Sequence, residues 1–315
     1  MEISVIVVTY NSSVFIEKCL QSVFKMLKRV DHELIVVDNA SRDKTGKIIQ
    51  EGFPKVLFIQ NPVNLGFGMA NNLALRRAKG NFVLFINPDT VWNRGDIQKA
   101  IQFLREHPKI GVLGARLVLN DGSWQKSYGN FPTLNRELKE ALYLPKFFPQ
   151  SKWSKGLFIY QERMERRAVD WISSTFFLCK RDVMINIGGF DERYFMYYED
   201  IDLSKRIRET GKEIYYYPEI EIIHHQRIPS IYDFGESPYI YFHIHFGLTF
   251  TIILRYIMIF KTFLRIAIFS SLVLLTGKAL FKEKLLTNYK TFKFHLFEAS
   301  KVIRRLKNGI SEPTY

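Results

Sequence analysis

Short apolar runs alternate with amphipathic stretches through the first third of the chain. Residues 4–9 (SVIVVT) are a β-branched run of the kind that forms a strand buried on both faces. Residues 10–13 (YNSS) break it, and residues 14–24 take up helical spacing. The cycle repeats with strand 33–37 and helix 44–51, strand 56–60 and helix 69–77, and strand 82–86 and helix 96–107. This alternation predicts an α/β fold, a Rossmann-like domain with a mostly parallel central sheet and right-handed crossovers, which places ligands at the carboxyl ends of the strands. Polar insertions fall at those ends: Tyr10-Asn11 after the first strand, Asp38-Asn39 after the second and Asn87-Pro88-Asp89 after the fourth. They are expected to converge on one crevice.

Farther on, residues 116–120 and 124–128 flank Asp121-Gly122, a hairpin signal. Residues 131–167 carry Pro132, Pro145 and Pro149 among aromatics and many basic residues, and read as a basic, partly helical excursion. A strand at 171–179 returns the chain to the core, and 183–187 leads into residues 188–206, GGFDERYFMYYEDIDLSKR. The Gly188-Gly189 pair permits a tight turn. Leu203 and Ile207 share a helical face and Asp202 can pair with Arg206, so a helix is predicted to begin near Glu199. Strands at 213–217 and 220–223 precede His224-His225.

After about residue 230 the character changes. Residues 246–275 are mostly apolar, interrupted by Arg255, Lys261 and Arg265. The longest uncharged run, 266–277, is shorter than the roughly 20 residues a spanning helix needs, so a single span is not expected. Lys278, Lys282, Lys284, Lys290 and Lys293 follow, with further basic residues to Lys307. Apolar helices edged with Lys and Arg suit an interfacial anchor on an anionic leaflet. A helical cap on the first domain, or an oligomer interface, is the alternative. The expected division is an α/β domain at 1–235 and a helical membrane-associating region at 236–315.

Composition narrows the partners. The 47% apolar and 15% aromatic content excludes a disordered chain. A formal charge of +14 implies an anionic partner. The basic residues collect in an apolar region without a nucleic-acid reading module, which favours a membrane surface over nucleic acid. Cys19 and Cys179 stand too far apart in sequence to suggest a disulfide framework or zinc knuckle, and fit a reducing cytosol as buried small residues. Met1-Glu2 leads directly into a strand without the basic and apolar regions of a signal peptide, so a cytoplasmic location is expected.

The acids carry two readings each. Glu199 and Asp200 either satisfy free N–H groups at a helix start or hold a general base at a cleft. Asp89 is either a turn former or a ligand for Mg²⁺ or Mn²⁺, ions held by hard oxygens with substrate phosphates completing the shell. His224 or His225 would add an imidazole.

Six stretches decide between these readings: SVIVVTYN (4–11), VVDNAS (36–41), NLGFGMANN (64–72), FINPDT (85–90), 188–206 and HHQRIPS (224–230). In order and spacing they resemble the inverting family 2 glycosyltransferases with a GT-A fold, and within them the rhamnosyltransferase-like branch of cell-surface polysaccharide synthesis. The resemblance covers roughly residues 3–230. It implies that Thr9, Tyr10, Asn11 and Asp38 hold the base and ribose of a nucleotide sugar, with Arg42 and Asp43 nearby, and that Asn64, Gly66 and Gly68 border the donor. Asp89 matches the last Asp of the family's metal-binding Asp-x-Asp, with Asn87 at the first position. Asp200 matches the general base, assisted by Glu199, with Asp191, Asp202 and Arg206 as supports. His224 matches the metal-ligand histidine, with His225 as the alternative.

A carboxylate at a helix N-terminus beside a cation is expected to have a depressed pKa, which would require proton transfer to lag behind C–O cleavage. The implied donor is dTDP-rhamnose, with UDP-sugars as the alternative, and the implied acceptor is a lipid-linked saccharide diphosphate. Trp124, Trp153 and Trp171 could stack on sugars, Trp171 being the one expected in the core. A nucleotidyltransferase would carry a Gly-rich basic loop after its first strand, where this chain has Tyr10-Asn11-Ser12-Ser13. A non-catalytic binding protein is disfavoured by the intact motif carboxylates.

Overall fold

The computed structural model describes residues 1–148, 151, 155–157, 159, 162, 164–225 and 235–309. Two compact units are formed, one from Met1–Gly129 with Glu162–Arg227 and one from Asn130–Gln161 with Ile228–Tyr315. Residues 130–161, counted with the first domain in the sequence reading, group with the C-terminal helices.

The first unit opens with strand and helix in alternation: β1 (Ile3–Thr9), α1 (Ile16–Leu27), β2 (His32–Asp38), α2 (Thr45–Gly52), β3 (Leu57–Gln60), α3 (Phe67–Leu75) and β4 (Phe82–Ile86). β5 (Thr90–Arg94), α4 (Ile97–Glu106), β6 (Ile110–Val118), β7 (Trp124–Gln125) and β8 (Tyr128–Gly129) follow. The chain then enters the second unit for α5 (Leu134–Ala141) and α6 (Leu144–Phe147). It returns through β9 (Arg167–Val169), β10 (Trp171–Ile172), β11 (Phe176–Lys180), α7 (Arg181–Asn186), α8 (Glu199–Glu209) and β12 (Glu213–His224).

β1 and β4 are buried along their whole length, which is why they read as continuous apolar runs. The predicted α4 starts where Asp96 caps it, its carboxylate accepting the N–H groups of Gln98 and Lys99. In the main sheet the order is β3-β2-β1-β4-β11-β6-β12-β5, with β7 on β6 and β9 on β12. The β3-β2-β1-β4 half is parallel as expected, and β6 pairs parallel with β12. The sheet is nevertheless mixed: β11 runs antiparallel between β4 and β6, and β5 antiparallel to β12. The two predicted late strands are one, β12, whose register shifts between Tyr217 and Glu221, around Pro218. The predicted strand 171–179 divides into β10 and β11.

The second unit also contains α9 (Ser237–Phe246), α10 (Leu248–Thr276), α11 (Ala279–Lys293), a π-helical turn (Phe294–Glu298) and α12 (Ala299–Lys307). α10 is one helix of 29 residues, continuous through its interrupting charges. By length and composition it is sufficient to cross a membrane, with a mean hydropathy of 1.9 and 17% burial over its most apolar stretch. Core helices of soluble proteins meet the same test of length and composition. The charges are absorbed locally. Lys261 is buried 3.2 Å from Glu137, Arg255 donates to the carbonyls of His295 and Leu296, and Arg265 lies over the Tyr143 ring. The two cysteines are free and buried, and Trp171 is in the core. Trp153 and residues 226–230 of the HHQRIPS motif lie outside the described residues.

Candidate active site

The parallel register sets Thr9 beside Asp38 at the carboxyl ends of β1 and β2, and the Asn39 N–H donates to the Thr9 carbonyl. Asp38 is fully buried, and its carboxylate accepts the Ser41 hydroxyl at 2.5 Å and the Ser41 N–H at 3.2 Å. The loops after the two strands are clipped together. The Asn11 N–H donates to Ser41 Oγ, and the Arg42 N–H donates to Asn11 Oδ1. Asn11 and Ala40 sit at φ of 49° and 64°, the left-handed region that Asn tolerates better than most residues. Tyr10, Ser41, Arg42, Asn61 and Asn64 are among the residues lining a cavity of about 670 Å³, within the size range of small-ligand sites.

A buried amide chain extends this wall. Asn61 Nδ2 donates to Asn39 Oδ1, and Asn39 Nδ2 donates to the Gly66 carbonyl. Gly66 is held at φ 81°, where a Cβ would stand 2.7 Å from Phe195 Cδ2 and from the Phe195 carbonyl oxygen. The Gly66 N–H donates to Asn64 Oδ1 and the Phe67 N–H to the Phe195 carbonyl. Asn72 in α3 donates to the Phe190 carbonyl and accepts the Phe190 N–H. The loop 64–68 is thereby docked on the segment that leads into α8.

β5 was not anticipated, and it builds the next corner. Its antiparallel pairing with β12 sets His224 across from Thr90 and beside Asp89. His224 Nε2 stands 3.3 Å from Asp89 Oδ1, both side chains are buried, and Nε2 makes no aligned hydrogen bond. Nδ1 of the same ring is 2.8 Å from Gln125 Oε1. His225 differs: its N–H donates to the Asp89 carbonyl while its ring stacks on Phe15 at 5.6 Å. Among the described residues no group of three or more His, Cys, Asp or Glu side chains assembles. The corner therefore offers two ligand atoms, and the orphaned Nε2 beside a carboxylate fits a hard cation whose remaining ligands are phosphate oxygens. Asn87 Oδ1 is also buried without a partner.

α8 is entered through two left-handed tyrosines, Tyr197 and Tyr198, each at φ 68°. Such conformations cost on the order of 1–3 kcal/mol each and persist where surrounding packing imposes them. Tyr198 is buried, and its carbonyl accepts the Asp202 N–H. Glu199 is buried with Oε2 unpartnered, and desolvation with the adjacent Asp200 charge pushes its pKa well above the ordinary carboxylate range. Asp200 accepts the N–H groups of Ile201 and Ser174, yet burial outweighs them and raises it to about 6. Desolvation here exceeds what the helix terminus and the two N–H groups supply, a direction opposite to that expected for a carboxylate beside a cation.

Around this pair, Arg206 Nε donates to Asp202 at 2.7 Å, and Arg206 Nη1 donates to the carbonyls of Ile187 and Gly189. Asp191 makes a fork with Arg193, whose hydrogen bonds hold the carboxyl below its usual range although burial pushes it up. The supports therefore brace the Gly188-Gly189 turn against α8. Sequence reasoning did not single out Ser174, Thr175, Asn61 or Gln125. Asn61 follows the third strand and was accessible to the rule that found Asp38, while Gln125 gave no signal.

The family model described as Glycosyl transferase family 2 matches residues 4–188, more than half of the chain. The chain belongs to glycosyl transferase family 2. Family 2 relatives include the N-acetylglucosaminyl-diphospho-decaprenol L-rhamnosyltransferase of Mycobacterium tuberculosis, 32% identical over 70% of this chain and 75% of that protein. The rhamnosyltransferase WbbL of Escherichia coli K12 is 26% identical over 70% of this chain and 82% of its own. Solved glycosyltransferases share the fold. The mannosyltransferase PcManGT of Pyrobaculum calidifontis, in complex with GDP-Man and Mn²⁺, superposes with a TM-score of 0.57 at 16% identity, covering 94% of this chain and 87% of that one. S. aureus TarS 1-349 with UDP-GlcNAc gives 0.52 at 18% identity, covering 99% and 88%. As a member of family 2, this protein is a glycosyltransferase with a GT-A-like mixed α/β fold.

Proposed function

We propose that this family 2 glycosyltransferase transfers rhamnose from dTDP-rhamnose, with inversion, to a lipid-linked saccharide at the cytoplasmic face of the membrane in cell-surface polysaccharide synthesis. The observation that carries it is the pairing of buried Glu199 with half-buried Asp200, raised to about 6, in a chain whose Asp89 and His224 meet at the strand ends. The relatives named as rhamnosyltransferases support the donor, and the mycobacterial one's name supports a lipid diphosphate acceptor.

In this reading Thr9, Tyr10, Asn11, Asp38 and Arg42 receive the base and ribose, Tyr10 and Arg42 from the cavity they line. Asn64, Gly66 and Gly68 shape the wall beside the donor sugar, and Asn87 and Asp89 lie toward the phosphates. Mg²⁺ or Mn²⁺ held by Asp89 and His224 would neutralise charge on the departing nucleoside diphosphate. Asp200 takes the proton from the acceptor hydroxyl as its oxygen bonds to the anomeric carbon and the bond to the diphosphate breaks on the opposite face. Glu199, whose carboxyl burial and the adjacent Asp200 charge hold well above the ordinary range, assists it. The raised pKa of Asp200 suits a base working near neutral pH, so the proton need not wait for complete C–O cleavage.

The second unit supports the membrane location. α10 and α11 fold back on each other at Gly277, with Phe269 stacked on Phe281 and Lys284 over Phe269. At the bend Leu274 and Leu275 are 87% and 81% exposed, followed by Lys278, Lys282 and Lys284. An apolar tip with a basic margin matches an anionic leaflet.

Purified protein is to be assayed over dTDP- and UDP-sugars with lipid extract, with Mg²⁺ or Mn²⁺, with EDTA, and as Asp200→Asn. Turnover of dTDP-rhamnose abolished by EDTA and by the substitution is expected. Turnover of a UDP-sugar alone would change the donor, and no turnover of any donor would overturn the reading.

A further inference from the structure

We infer that Gln125 is a positioning residue that fixes His224 in the Nδ1–H tautomer, leaving the Nε2 lone pair free beside Asp89 for a divalent cation. The inference rests on the reading of Asp89 and His224 as cation ligands. An amide oxygen only accepts, so Gln125 Oε1 at 2.8 Å requires the hydrogen to sit on Nδ1. In the neutral ring Nε2 is then an acceptor, and it faces a second acceptor, Asp89 Oδ1, at 3.3 Å. Two acceptors at this separation repel unless a positive charge, a proton or a metal ion on Nε2, accompanies them. The opposite tautomer would put a hydrogen on Nε2, removing the lone pair a cation needs, and would leave Gln125 Oε1 facing a second acceptor on Nδ1.

The contact is built into the sheet. Gln125 pairs with Leu117 of β6, and Leu117 pairs with Ile222 of β12, two residues before His224. The β6–β7 turn is fixed by Asp121, which accepts the N–H and hydroxyl of Ser123, and by Gly122 at φ 78°. Gln125 and His224 are 8% and 5% exposed, so water is poorly placed to substitute for the amide. Groups that orient a ligating imidazole in this way typically contribute 10–100-fold to metal affinity.

The test uses the full chain. Long-range ¹⁵N–¹H spectra of histidine-labelled protein, with His224 assigned by His224→Gln, report the tautomer. Mn²⁺ titration in the presence of dTDP, followed by EPR, reports affinity for wild type, Gln125→Leu and Gln125→Glu. We expect a neutral Nδ1–H ring in wild type, a loss of roughly 10–100-fold in Mn²⁺ affinity for Gln125→Leu with metal-free dTDP binding unchanged, and recovery in Gln125→Glu, which keeps an acceptor. An Nε2–H ring in wild type, or equal Mn²⁺ affinity in Gln125→Leu, would overturn the role of Gln125. Wild-type protein that binds no Mn²⁺ would overturn the cation reading itself. Should Gln125→Leu fail to fold, the wild-type tautomer decides.

Discussion

Asn87 and Thr175 are tied at two points, the Asn87 N–H donating to the Thr175 carbonyl at 3.2 Å and Asn87 Nδ2 to Thr175 Oγ1 at 3.4 Å. Ser174, one residue earlier, gives its N–H to the Asp200 carboxylate. One short turn between β10 and β11 therefore touches both the loop that carries Asp89 and the acid at the start of α8. The side chains expected to serve the leaving group and the attacking hydroxyl are joined through the backbone of a single segment.

Asp200→Asn is expected to lower transfer by roughly 10²–10⁴-fold, the usual contribution of a general base. Donor affinity should stay within a few-fold, because nothing proposed for donor binding uses this carboxylate. With Asp200 at about 6, wild-type kcat/KM should be flat above that pH and fall tenfold per unit below it. A pH–rate profile that stays flat to pH 4.5 would remove Asp200 from the role.

The same group makes a stability prediction of definite sign. Its folded pKa of about 6 lies above the ordinary 3.8, so folding favours the protonated form. The contribution is fully present below 3.8 and is lost as pH rises through about 6. At pH 7.5 the ionised acid is then a burden of about 2–3 kcal/mol, at 1.36 kcal/mol per unit. Asp200→Asn should raise the denaturation midpoint at pH 7.5 and change it little at pH 4. Equal shifts at both pH values would contradict the assignment.

Gly66→Ala should damage the site although it adds one methyl group. The left-handed backbone costs roughly 1–2 kcal/mol for a residue with a Cβ, and that Cβ would press on the Phe195 backbone. We expect a lower Tm and a donor KM raised at least several-fold, measured by thermal denaturation and steady-state kinetics. An unchanged Tm and KM would show that the loop 64–68 is not docked as described.

Leu274→Glu with Leu275→Glu should abolish flotation with vesicles containing anionic lipid and leave turnover of a soluble acceptor analogue intact. Each insertion-facing leucine contributes on the order of 1.5–3 kcal/mol when fully buried. Retained flotation, or a change in oligomeric state instead, would turn the exposed tip into a protein interface.

The parallel half of the sheet was legible because β1, β2 and β4 are buried apolar runs followed by polar residues, a local pattern. Asp38 and Asp89 stand out the same way, whereas Asp200 stands out in the acidic stretch at a predicted helix start. β5 escaped because Thr90–Arg94 is short and ends in Asn93 and Arg94, and it is a strand only through its pairing with β12. Gln125 was invisible for a related reason: its partner lies 99 positions away, and an isolated Gln in a hairpin carries no pattern. The raised pKa of Asp200 has no sequence signal, because helix position can be read from sequence whereas desolvation depends on which distant side chains cover the carboxyl. In the second unit the sequence showed the charges of α10 but not that Glu137, in α5, would meet Lys261.

The antiparallel β11 has a bearing on how the chain is made. β1 to β4 can pair as soon as they leave the ribosome, but the edge of β4 waits for residues 176–180, and β6 has no route into that sheet until they arrive. For most of the synthesis of the first unit an apolar strand edge is therefore open to other chains, the condition that favours aggregation. A truncation before Phe176 should yield insoluble protein even though the matched family region is nearly complete. The strand that closes the sheet also brings the turn whose Ser174 N–H later donates to Asp200, so the solubility of the chain and the placing of that carboxylate depend on one segment.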